Sequence, residues 1–275
     1  MQCNYFSYYL FKLIFYPQIN IVMKENKMIY IEKYKVFRMS LTLLILFTLL
    51  NSCNTEKSQK WEYIFDGETF NGWHVYNAES IGSEWSINNG ELIFTNNEEY
   101  GQDLITDKEY TNFELSIEWN ISENGNSGIL YGVKELDGID EFDAPFKTGP
   151  EIQVLDNENY YTSTDLHKAP SLFDLVSSDN KDLEVKTHGN WNHVLIKIDH
   201  SNNVGSVIMN GELAYSYPLS GDEWDKLVSQ SKFNPETKRP DATYAPKFGT
   251  YKTGKISLQD HGNNVKFRNI KIREF

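Results

Sequence analysis

Cysteine is nearly absent from the chain: Cys3 and Cys53 are the only two in 275 residues. Two thiols cannot supply a disulfide framework or a Cys-rich zinc site. Basic residues are also scarce, with 26 Lys and Arg against 39 Asp and Glu and a formal charge of −13. Nucleic acid is excluded as a partner, because a phosphate backbone has to be met by basic patches. Helical periodicity is rare, and no Pro- or Ser-rich linker divides residues 61–275. Aromatic residues are not scarce; at 14% of the chain they supply ample core material and argue against disorder.

The charge is unevenly placed. Lys12, Lys24, Lys27, Lys33, Lys35 and Arg38 against Glu25 and Glu32 give the segment before Cys53 a net +4, which leaves −17 on residues 53–275. The apolar run from Leu41 to Leu50 follows three of those basic residues. It is long enough for a signal core but short of the roughly 20 residues of a membrane span. It ends Leu50-Asn51-Ser52-Cys53, which resembles the bacterial lipobox, and Asn54–Lys60 is then a polar tether. The expectation is an export leader over 1–52 and lipidation at Cys53. The mature protein would then be held to a bacterial membrane by its lipid alone, facing the periplasm or the cell surface. Met28 and Met39 are alternative starts.

From Trp61 onward the pattern is of short strands. Asn89-Gly90 and Asn210-Gly211 each sit between apolar runs. That is a hairpin signal, because the tight turn needs positive φ at both central positions. Phe113–Ile121 alternates strictly, His193–Ile198 nearly so, and Asp222–Ser231 is the best helical candidate. Residues 61–275 therefore read as one all-β domain, a two-sheet antiparallel sandwich of roughly 220 residues. Trp61, Trp73, Trp119 and Trp191 are expected in its core.

Several segments in order along this domain resemble one family. They are Phe65-Asp-Gly-Glu-Thr-Phe-Asn-Gly-Trp73, Asn126-Ser-Gly-Ile129, Gly149-Pro-Glu-Ile-Gln-Val-Leu-Asp156, Gly189-Asn-Trp-Asn192, Ser257-Leu-Gln-Asp-His-Gly262 and Phe267-Arg-Asn-Ile270. The set is similar to the 3-keto-disaccharide hydrolases, common among exported bacterial proteins. The resemblance implies a concanavalin A-like jelly-roll sandwich. It also implies a small carbohydrate substrate whose C3 hydroxyl has been oxidised to a ketone. A separate oxidoreductase would have to supply that ketone.

Strand parity gives the residues roles. Side chains alternate faces, so Glu151 and Gln153 share one face while Asp156 has the opposite parity. Retaining glycosidases need two carboxylates about 5 Å apart, and Gln153 cannot ionise, so ordinary retaining hydrolysis is poorly supported. A C3 ketone makes the C2 proton acidic and places the C1 leaving group β to the carbonyl. One base, with a donor or metal on the enolate oxygen, then suffices for elimination followed by hydration; direct hydrolysis stays open beside it. The expected catalytic residues are Glu151, His261, which shares a polar face with Gln259, and Arg268. The apolar alternation slips at Arg268-Asn269, which predicts a β-bulge that could aim Arg268 at the cleft. Asn126, Gln153, Gln259, Asp156, His167 and Tyr131 are the expected sugar contacts. Glu151, Asp156, His167 and His261 are ligand types that suit a divalent cation, and that cofactor is left open. The competing function is a lectin-like carbohydrate-binding module on the same sandwich, which would need no titratable group.

Overall fold

The computed structural model describes residues 60–78, 80–96, 103–136, 144–234 and 236–275. The leader, Cys53 and the tether up to Gln59 lie outside these residues. Among the described residues no helix is long and apolar enough to cross a membrane.

Among the described residues thirteen strands form two antiparallel sheets, the expected sandwich. The eight-stranded sheet runs in the order β11 (Glu212–Tyr217), β10 (Val204–Met209), β9 (Asn192–Asp199), β6 (Phe113–Ile121), β13 (Val265–Glu274), β4 (Glu91–Phe94) and β3 (Trp85–Asn88). The short β1 (Glu62–Tyr63) also pairs with β13. The five-stranded sheet runs β2 (Trp73–Val75), β5 (Leu104–Thr106), β12 (Lys255–Leu258), β7 (Asn126–Val133) and β8 (Glu151–Leu155).

Both Asn-Gly pairs close hairpins. Asn89 and Gly90 have φ of 52° and 78°, and Asn210 and Gly211 have 50° and 94°. Positive φ at both central residues matches the twist of the flanking strands. Strict alternation in β6 sends Phe113, Leu115, Ile117, Trp119 and Ile121 into the space between the sheets. They meet Leu104, Ile129, Ile152, Val154, Ile256 and Leu258 from the smaller sheet. Each such side chain removed from water contributes roughly 1.5–3 kcal/mol. Trp73 and Trp119 join this core as expected. Trp61 and Trp191 do not: each lies half-buried beneath cations, Trp191 under Arg268 and Trp61 under Arg273 and Lys271.

The helix α1 (Asp222–Gln230) starts with Asp222, Glu223 and Asp225 in its first turn, where carboxylates complement the helix dipole. Trp224 is its buried anchor and stacks on Phe248, which in turn stacks on Phe233 at a centroid distance of 3.9 Å. This aromatic pile fixes the chain that leaves α1, including Lys232.

Candidate active site

The two faces of the smaller sheet have different jobs. Paired residues share a face in an antiparallel ladder. The pairs Ile129–Ile152 and Leu258–Ile129 lie on the core face. The pairs Leu130–Glu151, Gly128–Gln153, Leu130–Ser257 and Ser257–Ile105 therefore lie on the other face, turned away from the sandwich. That outer face is not a plain solvent surface. Glu151, Gln153, Asn126, Ser257, Gln259 and Asp103 are all buried, in company with the apolar Ile105, Leu130 and Tyr76.

The loop after β8 borders this face along one edge. Phe173 N–H donates to the Glu151 carbonyl and Gln153 N–H donates to the Ser171 carbonyl, both at 2.9 Å. These bonds occupy the free edge of β8, which would otherwise offer unpaired backbone groups. Further along, Asp174 Oδ2 accepts from the backbone N–H of Lys232 at 2.6 Å. Both arms of the Arg239 guanidinium donate to the same carboxylate, at 2.8 and 3.1 Å. Asp174 thus ties the loop after β8 to the segment leaving α1.

Gly128 makes room for Glu151. A β-carbon at Gly128 would lie 2.5 Å from Glu151 Oε1 and 2.7 Å from its Cδ and Cγ. The Gln259 amide donates to Glu151 Oε2 at 3.4 Å, and the Gln153 amide donates to Asn126 Oδ1 at 3.0 Å. Asn126 Nδ2 reaches the Tyr160 hydroxyl at 3.5 Å. With both amide nitrogens engaged, Gln153 Oε1 and Gln259 Oε1 remain buried acceptors without a protein donor. A buried acceptor without a donor is costly, and sugar hydroxyls are donors of the right kind.

Burial pushes the Glu151 carboxyl up from 4.5 to about 7, with the Lys232 charge and the Gln259 amide holding it from rising further. Burial pushes Asp103 up from 3.8 to about 8; the Asp260 N–H opposes the rise, and the negative fields of Asp260 and Glu151 add to it. Burial thus pushes both carboxyls toward their neutral forms, Asp103 further than Glu151. His261 is exposed by area, yet protein atoms crowd its ring; this desolvation, with the Lys232 charge, holds its imidazole below the ordinary value.

Glu151, Gln153, Gln259, Asn126 and His261 are therefore brought to one region. Three other expected residues, Arg268, Tyr131 and Asp156, are not. Arg268 sits on the eight-stranded sheet, where Nε donates to Glu118 Oε2 at 2.8 Å and its guanidinium lies 3.9 Å from the Trp191 ring centre. The expected bulge is real, with a register shift after Arg268 and Asn269 at φ 53°, but it serves this surface pairing. Tyr131 points into the sandwich and accepts a hydrogen bond from the Tyr217 hydroxyl at 3.0 Å. Asp156 is a fully buried loop anchor: burial raises its pKa, but Asn159 Nδ2 and the Asn124 N–H at Oδ2 outweigh that and hold it low. His167 stacks at 4.5 Å on Phe173, the residue bonded to the Glu151 carbonyl, and pairs through Nε2 with Asp174 at 2.9 Å, which puts it at the edge of this face. The four expected cation ligands therefore form no common donor set. Among the described residues no cluster of three or more His, Cys, Asp or Glu is arranged to hold a metal ion.

Sequence reasoning passed over Asp103 and Lys232. Asp103 directly precedes the apolar strand Leu104-Ile105-Thr106, a position where Asp usually reads as turn chemistry. Lys232 follows a helix on the far side of a long connection, and no local pattern links it to Glu151.

Residues 60–273 match the 3-keto-alpha-glucoside-1,2-lyase-like domain family. The chain belongs to this family. A 3-keto-disaccharide hydrolase of Bacteroides thetaiotaomicron is 34% identical over 229 residues, spanning 76% of this chain and 77% of that protein. A crystal structure from Parabacteroides distasonis, described as that of a candidate glycosyl hydrolase, superposes with a TM-score of 0.69 at 27% identity. It covers 81% of this chain and 97% of that one. A second structure so described from the same organism gives a TM-score of 0.56 at 28% identity, covering 78% and 100%. Membership of the 3-keto-alpha-glucoside-1,2-lyase-like family carries a coarse function with it, that of a glycoside-cleaving enzyme on a jelly-roll sandwich.

Proposed function

We propose that this enzyme cleaves 3-keto-glycosides, 3-keto-disaccharides among them, by removing the C2 proton, expelling the C1 substituent and adding water. The observation that carries this reading is a single carboxylate on the strand where a retaining pair would need two. Glu151 is buried, is held near neutrality, and has Gln153 where a retaining glycosidase would need its second acid.

Ionised Glu151 takes the C2 proton, and the C–H electron pair moves to the C3 oxygen as an enolate. The pair then returns to form the C1–C2 double bond as the C1–O bond breaks; the departing oxygen takes a proton from water, and Glu151 releases to solvent the one it removed, which regenerates the base. Water adds back, its hydroxyl to C1 and its proton to C2, so the net change is hydrolysis. A base whose pKa lies near the working pH combines availability with strength, and such assistance typically gives about 10²–10⁴-fold in rate. Neutral His261 at the rim is suited to hydrogen-bond the departing oxygen. The donorless oxygens of Gln153 and Gln259 would take the sugar hydroxyls that flank the ketone. A lectin-like role is disfavoured, since a binder gains nothing from keeping two carboxyls buried at a cost in stability.

The substrate's ketone would come from a separate oxidoreductase acting on the C3 hydroxyl of the parent sugar. The basic leader, its apolar run and Cys53 support export and lipid anchoring, with the sandwich on the periplasmic or outer side. Radiolabelled palmitate should enter the wild-type protein in cells and not the Cys53→Ala variant; equal labelling would refute the anchor.

The reading is tested by incubating wild-type protein and Glu151→Gln with a 3-keto-disaccharide and with its unoxidised parent. Release of sugar from the keto form alone, lost in Glu151→Gln, is expected. Cleavage of the parent at a similar rate, or full activity in Glu151→Gln, would overturn it.

A further inference from the structure

A C3 enolate needs a positive partner, and the expected one, Arg268, is committed to Glu118 and Trp191 on the other sheet. Lys232 is placed differently. Its ammonium rests 4.5 Å from the centre of the Phe173 ring and 5.3 Å from that of Phe233. Among the described residues no carboxylate stands within ion-pair distance of it, whereas Arg239 beside it holds Asp174 and Asp241. Phe173 is bonded through its backbone to the Glu151 carbonyl, so the aromatic seat of Lys232 is fixed directly to the strand that carries the base. The backbone of Lys232 is fixed as well, by the Asp174 carboxylate that Arg239 and His167 also grip.

We propose that Lys232 is a catalytic residue of this enzyme, the cation that receives the negative charge developing on the C3 oxygen as Glu151 removes the C2 proton. The role rests on the 3-keto reading given above. An ammonium seated on ring faces keeps its charge without spending it on a carboxylate, and is available to a charge that exists only in the transition state. The same charge is felt by Glu151, His261 and Asp241. Asp174, Arg239 and His167 complete the charged surroundings of its loop; Asp103 and Asp260 lie beyond, next to Glu151.

The test compares Lys232→Met, Lys232→Arg and wild type on a 3-keto-disaccharide over a range of pH. Lys232→Met should lose about 10²-fold or more in kcat, and Lys232→Arg should recover part of that loss. The acid limb of the pH profile should also move to higher pH in Lys232→Met, because the neighbouring cation no longer favours ionised Glu151. A merely structural lysine would not move that limb. Lys232→Gln keeps most of the stem and serves where the Met variant folds poorly. A Lys232→Met enzyme with wild-type kcat and an unmoved acid limb would overturn the role while leaving the substrate reading intact. Wild-type protein that leaves every 3-keto glycoside whole would sink the reading and this role together.

Discussion

Gly128→Ala tests the arrangement around the base without touching a charge. The added β-carbon would meet Glu151 Oε1 at 2.5 Å and its Cδ and Cγ at 2.7 Å. Ordinary contacts of this kind begin near 3.4 Å, so the carboxyl must move by roughly 1 Å. A misplacement of about 1 Å in a catalytic group can cost on the order of 10²-fold. Overpacking a tight site also costs about 1–3 kcal/mol of stability. Gly128 has no positive φ, so backbone strain does not confuse the outcome. The assay is kcat/KM on a 3-keto-disaccharide beside a thermal melt. We expect a folded protein with a modestly lower Tm and turnover reduced about 100-fold. A variant within a few-fold of wild-type activity would refute the placement of Glu151 as base, since the residue could not have been where its work is done.

Other consequences are separately measurable. The acid limb of kcat/KM in the wild type should fall at about pH 7, the value to which burial lifts Glu151; a limb near the ordinary carboxylate range would contradict the assignment. Asp103, lifted from 3.8 to about 8, makes the folded state resist ionisation, so it favours folding at low pH and loses that contribution as pH rises through the folded value. The Tm of Asp103→Asn relative to wild type should therefore climb as pH goes from about 4 to about 8, and a flat difference would refute the shift. Arg268→Ala should keep turnover while costing about 1 kcal/mol through loss of the Glu118 bond and the Trp191 stack. Tyr131→Phe should likewise keep turnover, at about 1 kcal/mol for the lost hydroxyl pair with Tyr217; a large drop in kcat in either variant would return these residues to the site.

The parts of this molecule that announce themselves in the sequence are those governed by local rules. The two Asn-Gly turns, the alternation of β6 and the slip at Arg268-Asn269 each follow from backbone geometry over a few residues. Glu151 and Gln153 were legible as polar positions on a strand otherwise occupied by Ile, Val and Leu, and Gln259 as the polar residue that follows one. What local rules cannot supply is which sheet a strand joins. The Arg268 bulge was visible, but the pairing of β13 with β6 and β4 rather than with β8 turns it to the opposite side of the sandwich. Parity placed Asp156 away from Glu151 correctly, yet its fate as a loop anchor depends on Asn124 and Asn159. Tyr131 shows the same limit: a phenol can stack on a sugar or fill a core, and only the register of β7 against β8 decides. Lys232 reaches the site through Asp174 and Phe173, contacts that span 58 residues or more of chain and leave no trace in either local segment.

The central claim is removal of the C2 proton, and a substrate labelled there tests it most directly. A 3-keto-disaccharide carrying deuterium at C2 would be turned over by the purified protein in ordinary water, and the released 3-keto sugar analysed at early times against an enzyme-free control. Elimination and hydration predict a product that has lost its C2 deuterium to solvent, with the unoxidised parent left uncleaved. A product that keeps the label at C2, formed with no C2-deuterium isotope effect on kcat/KM, would contradict the account and point to direct displacement at C1.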